Sequence, residues 1–118
     1  MAFHPEDRVV ASCSEDRSIK LWNLDDGGMI STMRVDSMVM CLSYAPSGDI
    51  LAVGDYGGNI HFFNAQGEKT LSIVNVGSIV LSVQFSPSGD TVAAGCYNGT
   101  VQIIDVATAQ VKRPLRGA

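Results

Sequence analysis

The chain has 118 residues, of which 46% are hydrophobic, 7% aromatic and 17% charged, with a formal net charge of −4. That is room for one domain, and the composition is globular, not disordered. The acidic balance, with a pI near 4.8, argues against direct nucleic-acid binding, which needs a basic stripe to displace counterions from phosphates.

Taken in chain order, short β-runs alternate with turn residues. The first stretch opens with only Met1-Ala2-Phe3 of a first run. The middle stretch has runs at Met38–Tyr44, Ile50–Gly54, Ile60–Asn64 and about Thr70–Asn75. The last has runs at Ile79–Phe85, Thr91–Gly95 and Val101–Val106, with a weaker one near Val111–Leu115. Pro-Ser-Gly-Asp supplies the first reversal twice, and Tyr56-Gly57-Gly58 and Tyr97-Asn98-Gly99 supply the second, where positive φ is needed. Asn98-Gly99-Thr100, a glycosylation sequon by pattern, reads as a hairpin turn. The basic run Lys112-Arg113-Pro114-Leu115-Arg116 reads as a solvated strand end. Runs such as Val80–Phe85 are apolar on both faces, as expected of a sheet sandwiched between two others. Nothing reads as an amphipathic helix, so the class is all-β.

Phe3-His4-Pro5, Tyr44-Ala45-Pro46 and Phe85-Ser86-Pro87 place their prolines 41 residues apart. The same step carries Ala11 onto Ala52 and Ala93, Ile19 onto Ile60 and Val101, and Asn23 onto Asn64 and Asp105. Self-similarity at this period marks propeller blades, each a small sheet that must stack on neighbours. Three four-stranded antiparallel blades are expected, over residues 1–35 (incomplete), 36–76 and 77–118. Closed propellers use about 4–8 blades, so the chain reads as part of a larger ring with apolar terminal faces. A patch of about 500 Å² left wet forgoes on the order of 12 kcal/mol.

The run Ala11-Ser12-Cys13-Ser14-Glu15-Asp16-Arg17-Ser18-Ile19-Lys20-Leu21-Trp22-Asn23 resembles the signature of the WD40-repeat family, and through the repeat the resemblance covers essentially the whole chain. It implies a partial β-propeller and a side-chain network in which Ser12, Asp16 and Trp22 are members. The family's Gly-His dipeptide is missing here. Where the first repeat has Trp22 with Ser12 and Asp16, the second has Phe63 with Val53 and Gly57, and the third Ile104 with Ala94 and Asn98. Polar partners vanish together with the indole N–H that would need them, as a hydrogen-bond network requires. A narrower resemblance, carried by residues 16–24, 50–54 and 79–89, is to the WD-repeat subunits of the Ski (superkiller) and RNA-polymerase-associated Paf complexes. It implies scaffold work in mRNA decay with the exosome and in transcription elongation.

No phosphate-binding loop, nucleophile elbow or set of convergent metal ligands is present, so no enzyme, catalytic residue, metal or cofactor is expected. His61 sits mid-strand and reads as a packed or rim histidine. Cys13, Cys41 and Cys96 occupy different repeat positions, which fits free thiols in a reducing compartment. With no secretory pattern and no apolar run approaching 18 residues, a soluble cytoplasmic or nuclear protein without membrane contact is expected. What remains is protein binding. The resemblance places partners on the loops that carry Asp36, Met38, Tyr56, Ile79 and Tyr97, with Tyr56 and Tyr97 in register. The competing reading is a self-associating structural piece that closes a propeller through its open terminal blades.

Overall fold

The computed structural model describes residues 2–5, 8–13, 16–64, 67–68 and 73–116, with side chains described as far as residue 112. Three four-stranded sheets follow one another along the chain. The first holds β1 (Ala2–Phe3), β2 (Val9–Cys13), β3 (Ser18–Asn23) and β4 (Met29–Arg34). The second holds β5 (Val39–Tyr44), β6 (Ile50–Asp55), β7 (Asn59–Asn64) and β8 (Val74–Asn75). The third holds β9 (Val80–Phe85), β10 (Thr91–Cys96), β11 (Thr100–Asp105) and β12 (Gln110–Arg116). Each is an antiparallel meander, and the register repeats with the sequence period: Val9 pairs Asn23, Ile50 pairs Asn64 and Thr91 pairs Asp105. Expected and observed strands agree to within a residue at most ends. The fourth run of the middle stretch is the exception, because the first half of Thr70–Asn75 lies outside the described residues and β8 covers its last two.

Stacking explains why the strands are apolar on both sides. Successive residues of a strand point to opposite faces. One face of the first sheet presents Ala11, Ile19 and Leu21 to the second sheet, which answers with Leu51, Val53 and Phe63. From its other face the second sheet presents Ala52, Ile60 and Phe62 to the third, which answers with Val92, Ala94 and Ile104. All twelve are at most 2% exposed. The two interfaces are built from repeat-equivalent positions, so the core is a pair of apolar layers between sheets. The first strands lie innermost, with β5 beside β1 and β9.

Turn chemistry fixes the ends. Gly58 and Gly99 hold φ of +84° and +86° in the β6–β7 and β10–β11 hairpins. The equivalent residue of the first sheet is Arg17, which adopts φ +68° without glycine's freedom. The Tyr97-Asn98-Gly99 segment is a hairpin turn, with Gly99 N–H donating to Cys96 O at 3.1 Å. Among the described residues no helix is long and apolar enough to cross a membrane.

Candidate protein-docking face

The β6–β7 and β10–β11 turns lie at the same end of the sheets as the segments that lead into β5 and β9. Backbone bonds lock these loops together in a repeated pattern. Tyr56 N–H donates to Met38 O at 2.8 Å, and Tyr97 N–H donates to Ile79 O at 2.9 Å. Val35 N–H reaches Arg17 O at 3.0 Å, and Val76 N–H reaches Gly58 O at 2.8 Å. Gly58 is required by closeness as well as by φ, since a Cβ there would sit 2.9 Å from Ser78 O. Asn98 N–H donates to Ser78 Oγ at 3.2 Å.

The side chains singled out from sequence fall on this face. Tyr56 and Tyr97 are 53% and 72% exposed and Met38 is 42% exposed. Asp36 is exposed and Ile79 half-buried, and Asp36 O accepts a hydrogen bond from Arg17 Nη1 at 3.3 Å. Both tyrosine rings therefore project into solvent from backbone held on two sides.

Beneath Tyr56 lies a polar cluster that sequence reasoning missed. The Asp55 carboxylate, fully buried, accepts from Asn59 N–H at 2.9 Å and lies 2.7 Å from His61 Nε2. Asn59 in turn accepts from Asn75 Nδ2 at 3.0 Å, and Asn75 Oδ1 accepts from Gly77 N–H at 2.9 Å. The chain of bonds links the β6–β7 turn to the loop entering β9. His61 stacks on Phe63 at 6.4 Å between centroids. Its Nδ1 is buried and has no hydrogen-bond partner among the described residues. The available signal was positional: Asp55 lies two residues beyond Val53, which pairs with His61, so both polar groups share one face of the sheet.

Of the three network residues expected in the first sheet, two meet directly. Trp22 Nε1 donates to Ser12 Oγ at 2.9 Å, tying β3 to β2. Asp16 is exposed and orders the turn, accepting from Ser18 N–H at 3.1 Å and from Ser18 Oγ. Among the described residues no group of three or more His, Cys, Asp or Glu is placed to hold a metal.

Three comparisons bear on what this arrangement belongs to. A family model described as the anaphase-promoting complex subunit 4 WD40 domain matches residues 42–116, and one described as WD domain, G-beta repeat matches residues 1–23. This chain belongs to the WD40-repeat family. Among its relatives, U3 small nucleolar RNA-associated protein 21 of Saccharomyces cerevisiae is 39% identical over 57 residues, 48% of this chain and 6% of that protein. Human WD repeat-containing protein 36 is 40% identical over 52 residues, 44% of this chain and 6% of its own length. Human echinoderm microtubule-associated protein-like 4 is 30% identical over 66 residues, 56% of this chain and 7% of its own length. The WD40 chain thus spans only a small part of these relatives. A solved structure titled as that of U3-55K superposes with a TM-score of 0.91 over 98% of this chain and 38% of its own, at 22% identity. That likeness shows the fold. None of these relatives is named as a Ski or Paf subunit, so the narrower resemblance gains no support from them.

Proposed function

We propose that this WD40 chain is a non-catalytic protein-interaction module whose docking surface is the loop face bearing Asp36, Met38, Tyr56, Ile79 and Tyr97. The observation that carries the reading is the pair of repeat-equivalent tyrosines, exposed yet mounted on hydrogen-bonded backbone. Tyrosine offers an apolar ring with a hydrogen-bonding tip and loses little side-chain entropy on binding, which is why it recurs at interface hot spots. The matching family model is named for a subunit of the anaphase-promoting complex, and relatives are named for association with U3 small nucleolar RNA and with microtubules, which supports scaffold work. The compartment that suits this role is the cytoplasm or nucleus, with a soluble protein as partner.

The test is affinity purification of the tagged chain from cells, compared with a Tyr56→Ala/Tyr97→Ala variant. The wild type retrieves a stoichiometric partner, and the variant loses it by at least about thirtyfold, the equivalent of a 2 kcal/mol hot spot. Equal recovery by both proteins places the docking surface elsewhere, and retrieval of no partner removes the scaffold reading. Ski or Paf subunits among the retrieved proteins would establish the narrower assignment that rests on residues 16–24, 50–54 and 79–89.

A further inference from the structure

The middle sheet caps the start of its third strand differently from its neighbours. Asp16, Gly57 and Asn98 are repeat equivalents. In the first sheet Asp16 Oδ1 accepts from Ser18 N–H at 3.1 Å, and in the third Asn98 Oδ1 accepts from Thr100 N–H at 3.1 Å. Both are local caps, made from two residues back along the turn. Gly57 has no side chain to do this. The equivalent amide, Asn59 N–H, turns instead to Asp55 Oδ1 at 2.9 Å, a carboxylate fully buried beneath the turn.

The change of cap ties the turn to its surroundings. Caps from Asp16 and Asn98 close within their own turns, whereas Asp55 also lies 2.7 Å from His61 Nε2 in the layer between the first two sheets. Asn59 carries the chain of bonds outward, since its Oδ1 accepts from Asn75 Nδ2 at 3.0 Å. Asn75 Oδ1 takes Gly77 N–H at 2.9 Å, and Oγ of the next residue, Ser78, accepts from Asn98 N–H at 3.2 Å. Asp55 adjoins Tyr56 and Asn98 adjoins Tyr97, so the relay begins under one exposed tyrosine and ends beside the other. The repeat does not copy it. Asn59 and Asn75 stand where the first repeat has Ser18 and Arg34, and where the third has Thr100 and Arg116.

We infer that Asp55, Asn59 and Asn75 are positioning residues that hold the turns of Tyr56 and Tyr97 as one unit. The inference rests on the docking-face reading and says how that face keeps its shape. A backbone bond, Val76 N–H to Gly58 O at 2.8 Å, spans the same gap as the bond between Asn75 and Asn59. Two links side by side hold an orientation that one leaves free to pivot. Further backbone bonds join Tyr56 to Met38 and Tyr97 to Ile79, so an orientation fixed at the relay reaches both rings. Groups held in place before a partner arrives lose less freedom when it binds.

The test is native-state amide hydrogen exchange of the chain without a partner, read by NMR in low urea, for the wild type, Asn75→Ala and Asn75→Ser. Asn75 is exposed, so neither substitution empties a core site. Serine keeps an acceptor for Gly77 N–H but is too short to reach Asn59, so it cuts the relay alone. In the wild type the amides of Tyr56, Val76 and Asn98 are expected to open together, with one opening equilibrium and one urea slope. In both variants they are expected to separate by about fivefold or more, the worth of one net hydrogen bond. A uniform loss of stability moves all three together, so it does not mimic this result. Three separate openings in the wild type, or a common one kept in Asn75→Ser, would overturn the inference. The exchange involves no partner, so its failure is read apart from failure of the docking face, which Tyr56→Ala/Tyr97→Ala tests. Where that double variant loses its partner, Asn75→Ser is expected to shorten the lifetime of the complex about fivefold. An unaltered lifetime there would likewise overturn the inference.

Discussion

His61 Nε2 lies 2.7 Å from Asp55 Oδ2 in the layer between the first two sheets, and both side chains are shut away from water. The third sheet fills the equivalent positions with Cys96 and Gln102, so the pair is particular to the middle repeat. Asp55 also caps the β6–β7 turn through Asn59 N–H. Replacing one partner leaves the other buried without its bond.

Asp55→Leu should therefore cost about 3 kcal/mol or more, because it strands the His61 imidazole and the Asn59 amide together. His61→Phe should cost less, since Asn59 still serves the carboxylate. Asp55→Leu/His61→Phe should recover part of the Asp55→Leu loss, as apolar replacement of a whole buried pair is often near neutral. Urea unfolding midpoints of the three variants check this, and strict additivity would show that the two side chains are not coupled.

The repeat makes a second prediction by comparison of equivalents. Phe62 is buried against the third sheet and Ile103, its counterpart, is half-buried. Phe62→Ala should cost about 3–5 kcal/mol through the cavity it opens. Ile103→Ala should cost less, about 1–2 kcal/mol, because part of the side chain already meets water and less apolar area is lost. Similar losses at both positions would mean that the third sheet's outer face is covered.

Much of this architecture was legible in the sequence because its causes are local and periodic. The 41-residue step from Pro5 to Pro46 to Pro87 fixed three sheets in one register, and paired apolar faces announced the stacking. The Ser12–Trp22 bond was legible because a donor and its acceptor change together from repeat to repeat. The Asp55–His61 bond was not, because it occurs once and its partners are six residues apart on neighbouring strands. Periodicity cannot flag a feature that breaks the period. The backbone bonds from Tyr56 to Met38 and from Tyr97 to Ile79 were equally hidden, since any residue can make them.

Arg17 occupies the hairpin position that Gly58 and Gly99 fill in the later sheets, and it does so at φ +68°. A left-handed conformation costs a residue with a Cβ roughly 1–2 kcal/mol, whereas glycine's added freedom in the unfolded chain costs about 0.5–1 kcal/mol. Arg17→Gly should therefore raise stability by up to about 1 kcal/mol, less the contribution of the exposed bond from Arg17 Nη1 to Asp36 O. A higher thermal midpoint for Arg17→Gly, with Arg17→Ala unchanged or lower, checks the backbone explanation. A gain for both substitutions would point to the side chain instead.

The three free cysteines should separate by reactivity. Burial pushes the Cys41 thiol from its ordinary 9.0 up to about 11, outweighing the opposing hydrogen bond with the Gly54 backbone. Its Sγ lies 3.9 Å from Gly54 O and 3.8 Å from Val80 O, between the second and third sheets. Burial also raises Cys96, whereas Cys13 is exposed. At pH 8 only about one Cys41 thiol in a thousand is ionised, and the thiolate is the nucleophile. Iodoacetamide should thus label Cys13 first and leave Cys41 for last, as mass spectrometry of timed digests would show. The same shift sets a pH dependence. A thiol whose pKa is higher folded than unfolded contributes stability that is fully present below about pH 9 and is lost as pH climbs through about 11. Urea midpoints should fall across that window, and Cys41→Ala should remove the share of the fall that belongs to this thiol. Early labelling of Cys41 at pH 8 would mean that the layer between these two sheets opens readily to solvent.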